Sequence, residues 1–474
     1  METEKEGVPR PQFISCIKWV RRGIPKENPD KVELTANELK RIIDKTKGDL
    51  EAVEDNEDEE VDEASERMEE DEESVDDIVK KYGLDDYDNE DEAGASGSGI
   101  GFGNLVCFAS SKDDPLLDTA SQYSDDIEDE EDVRVRPSDN FLVTGHVDGD
   151  CSSLDIYVYN PEEGSEYVHH DITLGFTPLA LDWLSLGQSE DSVRNAVAVG
   201  GMSEEIQIWD LDVMNAIEPV LTLGDVKQGQ RTKKKKKAKK MTRCSGHMEP
   251  VLSLAWNSIL KTALASGSVD NSLFVWDLET GQPAIGIPDF ADKIQTLHWH
   301  PEESQLLLTG SCDGYVKVVD GRDIDSVRSW EFYGEEVERA IWNHSSTHQF
   351  FVCTDKGKVH SCDVRQKKPL WSLACMESTS GLALSPAGIG CLAVGGKDGI
   401  LKVLDVSSTS PTLVQETQVK IGTILCLEFC PDDPLTIAAG GDNRCHPLRI
   451  LDLRSFPQVE ERFSSRISSA GLAL

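Results

Sequence analysis

The adjacent histidines His169 and His170, followed by Asp171, are the residues of this sequence best suited to metal binding or acid–base catalysis. Imidazole and carboxylate groups bind zinc and carry protons in many sites. The three residues lie in an alternating stretch, EYVHHDITL, which predicts a β-strand. Neighbouring residues of a regular strand point to opposite faces, so the two imidazoles are not expected to share a metal ion. No third ligand lies near them in sequence, and we expect both to be structural.

Other catalytic or cofactor motifs are absent from the sequence. It contains no Gly-x-Ser-x-Gly, Walker or His-Glu-x-x-His pattern. The glycines of 97–103 resemble a nucleotide loop, but no strand precedes them and no Lys-Ser/Thr follows, which favours a linker. None of the 12 cysteines forms a Cys-x-x-Cys pair, and several lie in apparent strands, which is typical of buried free thiols in a reducing compartment. We therefore predict no enzyme, no cofactor and no metal.

A block of positive charge at 227–243 is the second candidate for chemistry. It has 10 Lys/Arg in 17 residues and no acidic residue. The densest part contains Lys233, Lys234, Lys235, Lys236, Lys237, Lys239 and Lys240. Such a run can bind an import receptor, contact nucleic-acid phosphates, or do both. Because no aromatic residue is interleaved, base stacking is not expected, and any contact would be electrostatic without sequence specificity.

The elements that position these residues are repeats. Trp256, Trp299 and Trp342 each end an alternating strand and are spaced 43 residues apart. The same position continues to Leu384 and Phe429, and backwards to Trp183 and Trp19. Third strands close at Asp210, Asp277, Asp320, Asp363, Asp405 and Asp452. Periods of about 40–45 residues with short strands indicate propeller blades. The predicted fold is therefore all-β, a seven-bladed propeller.

The repeat pattern also assigns the remaining segments. Residues 13–20 are predicted to be the first strand of blade one, and 139–456 to complete the seven blades. Residues 34–47 have a capping box and a shared apolar face, so they predict a short amphipathic helix. The basic loop, 225–243, joins blades two and three. Residues 457–474 are expected to be an outer strand or a flexible tail.

Residues 49–132 form an acidic insertion between the first and second strands of blade one. They hold 34 Asp/Glu against 4 Lys/Arg, so −30 of the net charge of −41 belongs to this segment. Low hydrophobicity with high net charge predicts disorder. Ser74, ahead of Val-Asp-Asp, weakly matches an acid-directed kinase site. Strand order places the acidic insertion and the basic loop on opposite rims of the disc. The acidic insertion follows the inner strand of blade one, whereas the basic loop precedes the inner strand of blade three.

The pattern resembles the WD40 family, whose motif is best kept in blade three. Gly246-His247, Ser266, Asp270 and Trp276-Asp277 stand at its landmark positions. The resemblance implies that His247, Ser266, Asp270 and Trp276 form a buried hydrogen-bonded chain that joins the turns of the blade. Other blades depart from this pattern: blade four has Val319 where the tryptophan would be, and blade two has Ser203 in place of the aspartate.

Longer stretches resemble one eukaryotic family of WD-repeat proteins. They include CIKWVRRGIPKENPDKVELTANELKRII near the N-terminus, YVHHDI, and IWDLDVMNAIEPVLTLG ahead of the lysine run. The resemblance implies a nucleolar, and hence nuclear, scaffold in large-subunit ribosome biogenesis. Its partners would be pre-60S assembly factors, ribosomal proteins and pre-ribosomal RNA. Lys293, Arg339 and Lys420, in or near turns ahead of inner strands, are further candidate contacts on the rim of the basic loop.

Two other interaction functions remain open from the sequence. A histone-binding chromatin factor at ribosomal DNA would use the acidic insertion to shield basic histone tails. A substrate receptor for a ubiquitin ligase would need only the propeller. No apolar run approaches the roughly 20 residues that span a bilayer, so no membrane partner is expected.

Overall fold

The computed structural model describes residues 11–31, 100–102, 105–107, 133–186, 194–224, 246–287, 290–387 and 389–470. The chain divides into two compact units, residues 1–31 with 133–474, and residues 32–132. In the second unit, Ile100–Phe102 and Leu105–Cys107 form a short antiparallel pair. Of the linker predicted at 97–103, the described residues 100–102 form a strand instead, because isoleucine and phenylalanine favour strands. The helix predicted at 34–47, Ser74 and most of the acidic insertion lie outside the described residues.

The first unit contains seven antiparallel sheets, which confirms the predicted seven-bladed propeller. Blade one consists of β1 (Gln12–Val20), β5 (Asn140–Asp148), β6 (Cys151–Asn160) and β7 (Ser165–Leu174). Between β1 and β5 in sequence come β2 (Asp30–Lys31) and the pair described above, β3 (Ile100–Phe102) and β4 (Leu105–Cys107). Blade two consists of β8 (Pro178–Leu186), β9 (Arg194–Gly201), β10 (Ile206–Asp210) and β12 (Leu221–Leu223). A short strand β11 (Val213–Met214) pairs in parallel with β2.

The next four blades have four strands each. Blade three consists of β13 (Val251–Trp256), β14 (Ala263–Ser268), β15 (Leu273–Asp277) and β16 (Gln282–Ile287). Blade four consists of β17 (Ile294–Trp299), β18 (Leu306–Ser311), β19 (Tyr315–Asp320) and β20 (Asp323–Glu331). Blade five consists of β21 (Val337–Trp342), β22 (Gln349–Thr354), β23 (Lys358–Asp363) and β24 (Trp371–Ala374). Blade six consists of β25 (Thr379–Leu384), β26 (Cys391–Gly396), β27 (Ile400–Asp405) and β28 (Thr412–Gln418).

Blade seven has three described strands, β29 (Ile424–Phe429), β30 (Thr436–Gly441) and β31 (Leu448–Asp452). A 3-10 turn follows at Leu453–Ser455, and the helix α1 runs over Pro457–Ala470. The prediction of an outer strand or flexible tail for 457–474 was therefore wrong over 457–470. Val459 and Phe463 are four residues apart on one helix face and fully buried, and proline suits the first turn of a helix.

A glycine in the second strand of six blades allows a close approach to the next blade, and blade five has Cys353 at this position. A Cβ at Gly267 would lie 2.6 Å from Ile294 Cγ2, on the first residue of the next inner strand. The same approach joins Gly310 to Val337, and equivalent glycines lie at 145, 200, 395 and 440. Real Cβ atoms do not come so close, so these six blades approach their neighbours at a distance that only glycine permits.

The N-terminal strand completes the ring. β1 pairs with β5 from Gln12↔Asp148 to Val20↔Phe141, as the inner strand of blade one. On its other side, Ile14 and Trp19 pack in one buried cluster with Cys426 and Ala438 of blade seven. Blade one is thus assembled from residues on both sides of the acidic insertion, and it fills the space between blades seven and two.

Candidate interaction site

Three of the five landmark tryptophans join consecutive blades through their indole N–H groups. Trp342 Nε1 donates to the carbonyl of His298 at 3.1 Å, and Trp299 Nε1 donates to that of Ala255 at 2.9 Å. Trp19 Nε1 donates to the carbonyl of Glu428 at 3.2 Å. Each acceptor directly precedes the landmark residue of the previous blade. The 43-residue spacing therefore corresponds to a repeated hydrogen bond between blades, which includes the junction of blades seven and one.

A charged cluster in the central channel lies at the same junction. Lys18 Nζ is 2.9 Å from a carboxylate oxygen of Asp182 and 2.9 Å from one of Glu428. The Glu428 carboxylate also accepts a hydrogen bond from the backbone N–H of Trp19 at 2.8 Å, and the Asp182 carboxylate accepts one from the backbone N–H of Trp256. Burial alone would lower the pKa of Lys18, but the two carboxylates outweigh it and the pKa is raised. Lys18 is therefore a fixed cation that links blades seven, one and two.

The channel itself is a cavity of about 220 Å³ lined by the inner strands. Its walls include Cys16, His298, Arg339 and His344. Burial raises the pKa of Cys16 to about 12, so its thiol stays protonated and is a poor nucleophile. Burial, with help from His344 and Lys18, lowers the pKa of His298 to about 3. In the described part of the chain, no group of three or more His, Cys, Asp or Glu side chains could hold a metal ion.

The four motif residues of blade three meet in the structure. His247 Nε2 lies 2.7 Å from Ser266 Oγ, and Trp276 Nε1 donates to the same hydroxyl at 2.8 Å. His247 Nδ1 lies 3.3 Å from Asp270 Oδ2 and 3.0 Å from Ser272 Oγ. Asp270 also accepts the Met248 N–H at 3.0 Å. Burial would raise the pKa of Asp270, but these hydrogen bonds lower it, so the carboxylate remains charged. The cluster joins the turns of the blade.

The two adjacent histidines differ from the prediction for a regular strand. β7 has a bulge there, since Ile156 pairs with His170 and Tyr157 pairs with Val168. The extra residue brings the rings together, with His169 Nδ1 2.7 Å from His170 Nδ1. His169 Nε2–H donates to the Val133 carbonyl at 2.7 Å. Asp171 is exposed and opposite Asp155 in the ladder. The pair anchors Val133, where the chain re-enters the propeller.

The basic residues predicted to contact a partner do not all lie on one rim of the propeller. The lysines of 233–240 are outside the described residues, but the loop ends are adjacent, since a Cβ at Gly246 would lie 2.8 Å from Gly224 Cα. Lys293 and exposed Lys420 precede inner strands, on the rim where these ends lie. Arg339 does not lie in a turn: it is the third residue of β21 and lines the channel, because the inner strand of blade five begins at Val337.

The described part of that rim is not a basic surface. Exposed acidic residues stand beside the candidate cations and elsewhere on it, at Asp292, Glu336, Glu377, Asp398 and Asp442. A phosphate backbone would be repelled by them at short range. An electrostatic contact with nucleic acid on this side therefore depends on the basic loop itself.

Two groups of functional side chains were missed by the sequence analysis. Lys18, Asp182 and Glu428 each precede a landmark aromatic residue, so their common position was a signal that could have found them. The second group joins α1 to blade six: Asp405 accepts from Arg462 Nε at 2.6 Å and from Arg466 at 2.8 Å. No spacing rule relates these residues, because the helix lies outside the repeat.

Comparisons with known proteins agree with this geometry. The family model described as WD domain, G-beta repeat matches residues 238–277 and 289–320. A periodic tryptophan protein 1 homolog of Drosophila melanogaster is 36% identical over 93% of this chain and 95% of its own length. Periodic tryptophan protein 1 of Saccharomyces cerevisiae is 29% identical over 96% of this chain and 91% of its own. A WD repeat-containing protein of Schizosaccharomyces pombe is 32% identical over 96% and 92%.

The seven antiparallel sheets, the blade-three hydrogen-bonded chain and the family match define a WD40-repeat β-propeller. The chain belongs to the periodic tryptophan protein 1 family.

Proposed function

We propose that this protein is a non-enzymatic scaffold of nucleolar ribosome biogenesis that assembles on pre-60S particles and supports ribosomal RNA processing. The observation that carries the proposal is family membership at 36% identity over nearly the whole chain. The resemblance to this family implies a role on pre-60S particles in the nucleolus, and the proposal takes that particle and that compartment from it. The propeller rims would bind assembly factors and ribosomal proteins.

The basic loop is the part of the scaffold that we assign to pre-ribosomal RNA. Its ends at Gly224 and Gly246 meet on the rim where the inner strands begin. Residues 31 and 133, between which the acidic unit is inserted, lie after the end of β1 and so on the other rim. Import-receptor binding by the same lysines is compatible with RNA contact at a later stage.

Gradient sedimentation of cell extract, with and without RNase, tests the scaffold function. We expect co-migration with large-subunit precursors that RNase abolishes. Migration with histones alone, insensitive to RNase, would favour the alternative of a histone-binding factor at ribosomal DNA. That alternative has one observation in its favour, the −30 charge of residues 49–132.

A matched pair of variants tests the loop. The change Lys233→Gln with Lys234→Gln removes two charges from the basic loop, and Lys367→Gln with Lys368→Gln removes two exposed charges from the opposite rim. For single-stranded RNA, each lost phosphate contact lowers the salt dependence of log affinity by about 0.7. The loop variant should therefore lower the slope by up to about 1.4, and the control should not change it. Equal effects of both pairs would refute the assignment of the loop.

A further inference from the structure

A cavity of about 280 Å³ lies between blades three and four. Its walls are largely apolar: Val275, Ile285 and Ile287 come from blade three, and Trp299, Leu307 and Val319 come from blade four. It lies at the loops that follow inner strands, where Leu260, Ser304 and Gln305 also line it. This is the rim opposite to the ends of the basic loop. The cavity therefore belongs to neither the central channel nor the proposed RNA contact.

Internal symmetry explains why the cavity exists. Leu307 pairs with Val319 in blade four as Leu264 pairs with Trp276 in blade three, so Val319 occupies the position of Trp276. The Trp276 indole is 1% exposed and packs in one cluster with Ile206, Ile208 and Leu223 of blade two. The same volume between blades three and four has only a valine to fill it.

Blade four is internally complete without a tryptophan at 319. Phe290 stands at the position of His247, and Lys317 Nζ lies 4.3 Å from the centre of its ring. Thr309 stands at the position of Ser266, and its hydroxyl donates to the Lys317 carbonyl at 3.3 Å instead of accepting an indole N–H. The polar groups that would need a tryptophan are thus satisfied otherwise. An open cavity is therefore a stable feature of this junction.

The mouth of the cavity has the properties of a docking surface. Leu260, on its edge, is 45% exposed, and the neighbouring Ile259 is 49% exposed. Exposed apolar side chains around a concave apolar site mark contacts with protein partners. A single large aromatic side chain suits the position, because an indole fills the equivalent volume one blade earlier. Aromatic anchors in such pockets dominate many protein interfaces.

We propose that this cavity binds an aromatic side chain, tryptophan in the first place, presented by a short segment of a partner protein. The incoming ring would pack between Ile285 and Val319 as Trp276 packs one blade earlier. The polar residues Ser304 and Gln305 at the mouth are placed to meet the peptide backbone or an indole N–H.

Fluorine NMR of the full chain labelled with 5-fluorotryptophan tests this site, because Trp299 lines it. The probe is the blocked pentapeptide Ser-Gly-Trp-Gly-Ser, and the control peptide has alanine at the centre. We expect a saturable shift of the Trp299 resonance, assigned with Trp299→Phe, and at least tenfold weaker binding of the alanine peptide. If neither peptide shifts the resonance, the cavity is closed or filled by the chain's own residues, and the proposal is overturned.

A second test fills the cavity with a larger side chain of the protein itself. Val319→Trp should abolish the shift and leave the melting temperature unchanged or higher, since the indole occupies a volume left empty in the native chain. Val319→Phe is the smaller replacement, in case the tryptophan prevents folding, and it should weaken binding at least tenfold. Val327→Trp adds a tryptophan at an exposed position of the same blade and should leave binding unchanged. Binding by a folded Val319 variant as strong as that of the native chain would overturn the proposal.

Discussion

Gly440 of blade seven lies against Ile14 of blade one so closely that a Cβ on residue 440 would be 2.7 Å from Ile14 Cγ2. The same relationship joins Gly267 to Ile294 between blades three and four. Blade one therefore packs on blade seven by the same close approach that joins most other neighbouring blades. Residues at the two ends of the chain are thus parts of one closed ring.

Gly440→Ala should destabilise the propeller, because the added methyl group overpacks the junction. We expect a loss of about 1–3 kcal/mol in the free energy of unfolding, measured by chemical denaturation. Gly440→Ala and Ile14→Ala together should cost less than the sum of the two single changes, since Ile14→Ala removes the Cγ2 atom that the new methyl group would meet. Gly175→Ala is the control, because a Cβ there meets no atom within 4 Å. Strict additivity of the changes at 440 and 14 would contradict the contact.

Trp276→Phe should destabilise blade three, since it removes the indole N–H from Ser266 and leaves a gap beside blade two. The expected cost is about 2–4 kcal/mol of unfolding free energy. Trp256→Phe is the control: its indole N–H donates to the Lys261 carbonyl in its own loop and its side chain is partly exposed. A similar loss of unfolding free energy in both variants would show that the buried hydrogen-bonded chain does not contribute to stability.

Stability should fall with acidification because of His170. Burial and the neighbouring His169 lower its pKa to about 4, below the value of 6.5 for an unperturbed histidine. As the pH falls, His170 of the unfolded chain binds a proton before His170 of the folded chain does. The contribution of His170 to the free energy of unfolding is therefore complete above pH 6.5 and is lost as the pH falls towards 4. The slope from one histidine is at most about 1.4 kcal/mol per pH unit. His170→Phe should remove that component between pH 6.5 and 4, and an unchanged slope would contradict the buried neutral state.

Asp405→Asn should release α1 from blade six. The carboxylate is fully buried and holds Arg462 and Arg466, while both arginines are partly exposed, which limits the cost to about 1–3 kcal/mol. Hydrogen exchange of 457–470 should accelerate at least tenfold, and exchange in blade three should not change. Asp452→Asn removes a half-exposed partner of Arg454 and should leave the exchange of the helix near its native rate. Unchanged exchange in the Asp405 variant would exclude the ion pairs as the helix anchor.

The propeller was predictable because Trp256, Trp299 and Trp342 recur at a regular spacing, and Trp299 and Trp342 make the same hydrogen bond to the previous blade. Trp19 could be assigned for the same reason, although most of blade one follows the acidic insertion. The cluster of Lys18 with Asp182 and Glu428 could not be paired from spacing alone, since three different blades contribute one residue each. The bulge at His169 depends on the register in which β7 pairs with β6, and the alternation of apolar and polar residues within β7 does not predict that register.

The helix α1 shows a different limit. A repeat predicts a fourth strand for blade seven, but the periodicity of Val459 and Phe463 is helical, and burial against blade six decides the outcome. Site residues were harder to predict than the fold, because charge alone does not distinguish a rim position from the channel. Arg339 illustrates this, since two residues of displacement along β21 move it from a turn to the channel wall.

Crosslinking of the full chain to RNA in living cells by ultraviolet light, followed by sequencing, tests most directly the central claim that the basic loop places this propeller on pre-60S RNA. We predict crosslinks concentrated in precursors of the large-subunit ribosomal RNA. They should fall at least fivefold when Lys233, Lys234, Lys235, Lys236 and Lys237 are replaced by glutamine in a chain kept in the nucleus by an added import signal. Crosslinks at background level, or equally strong with the five lysines removed, would contradict it.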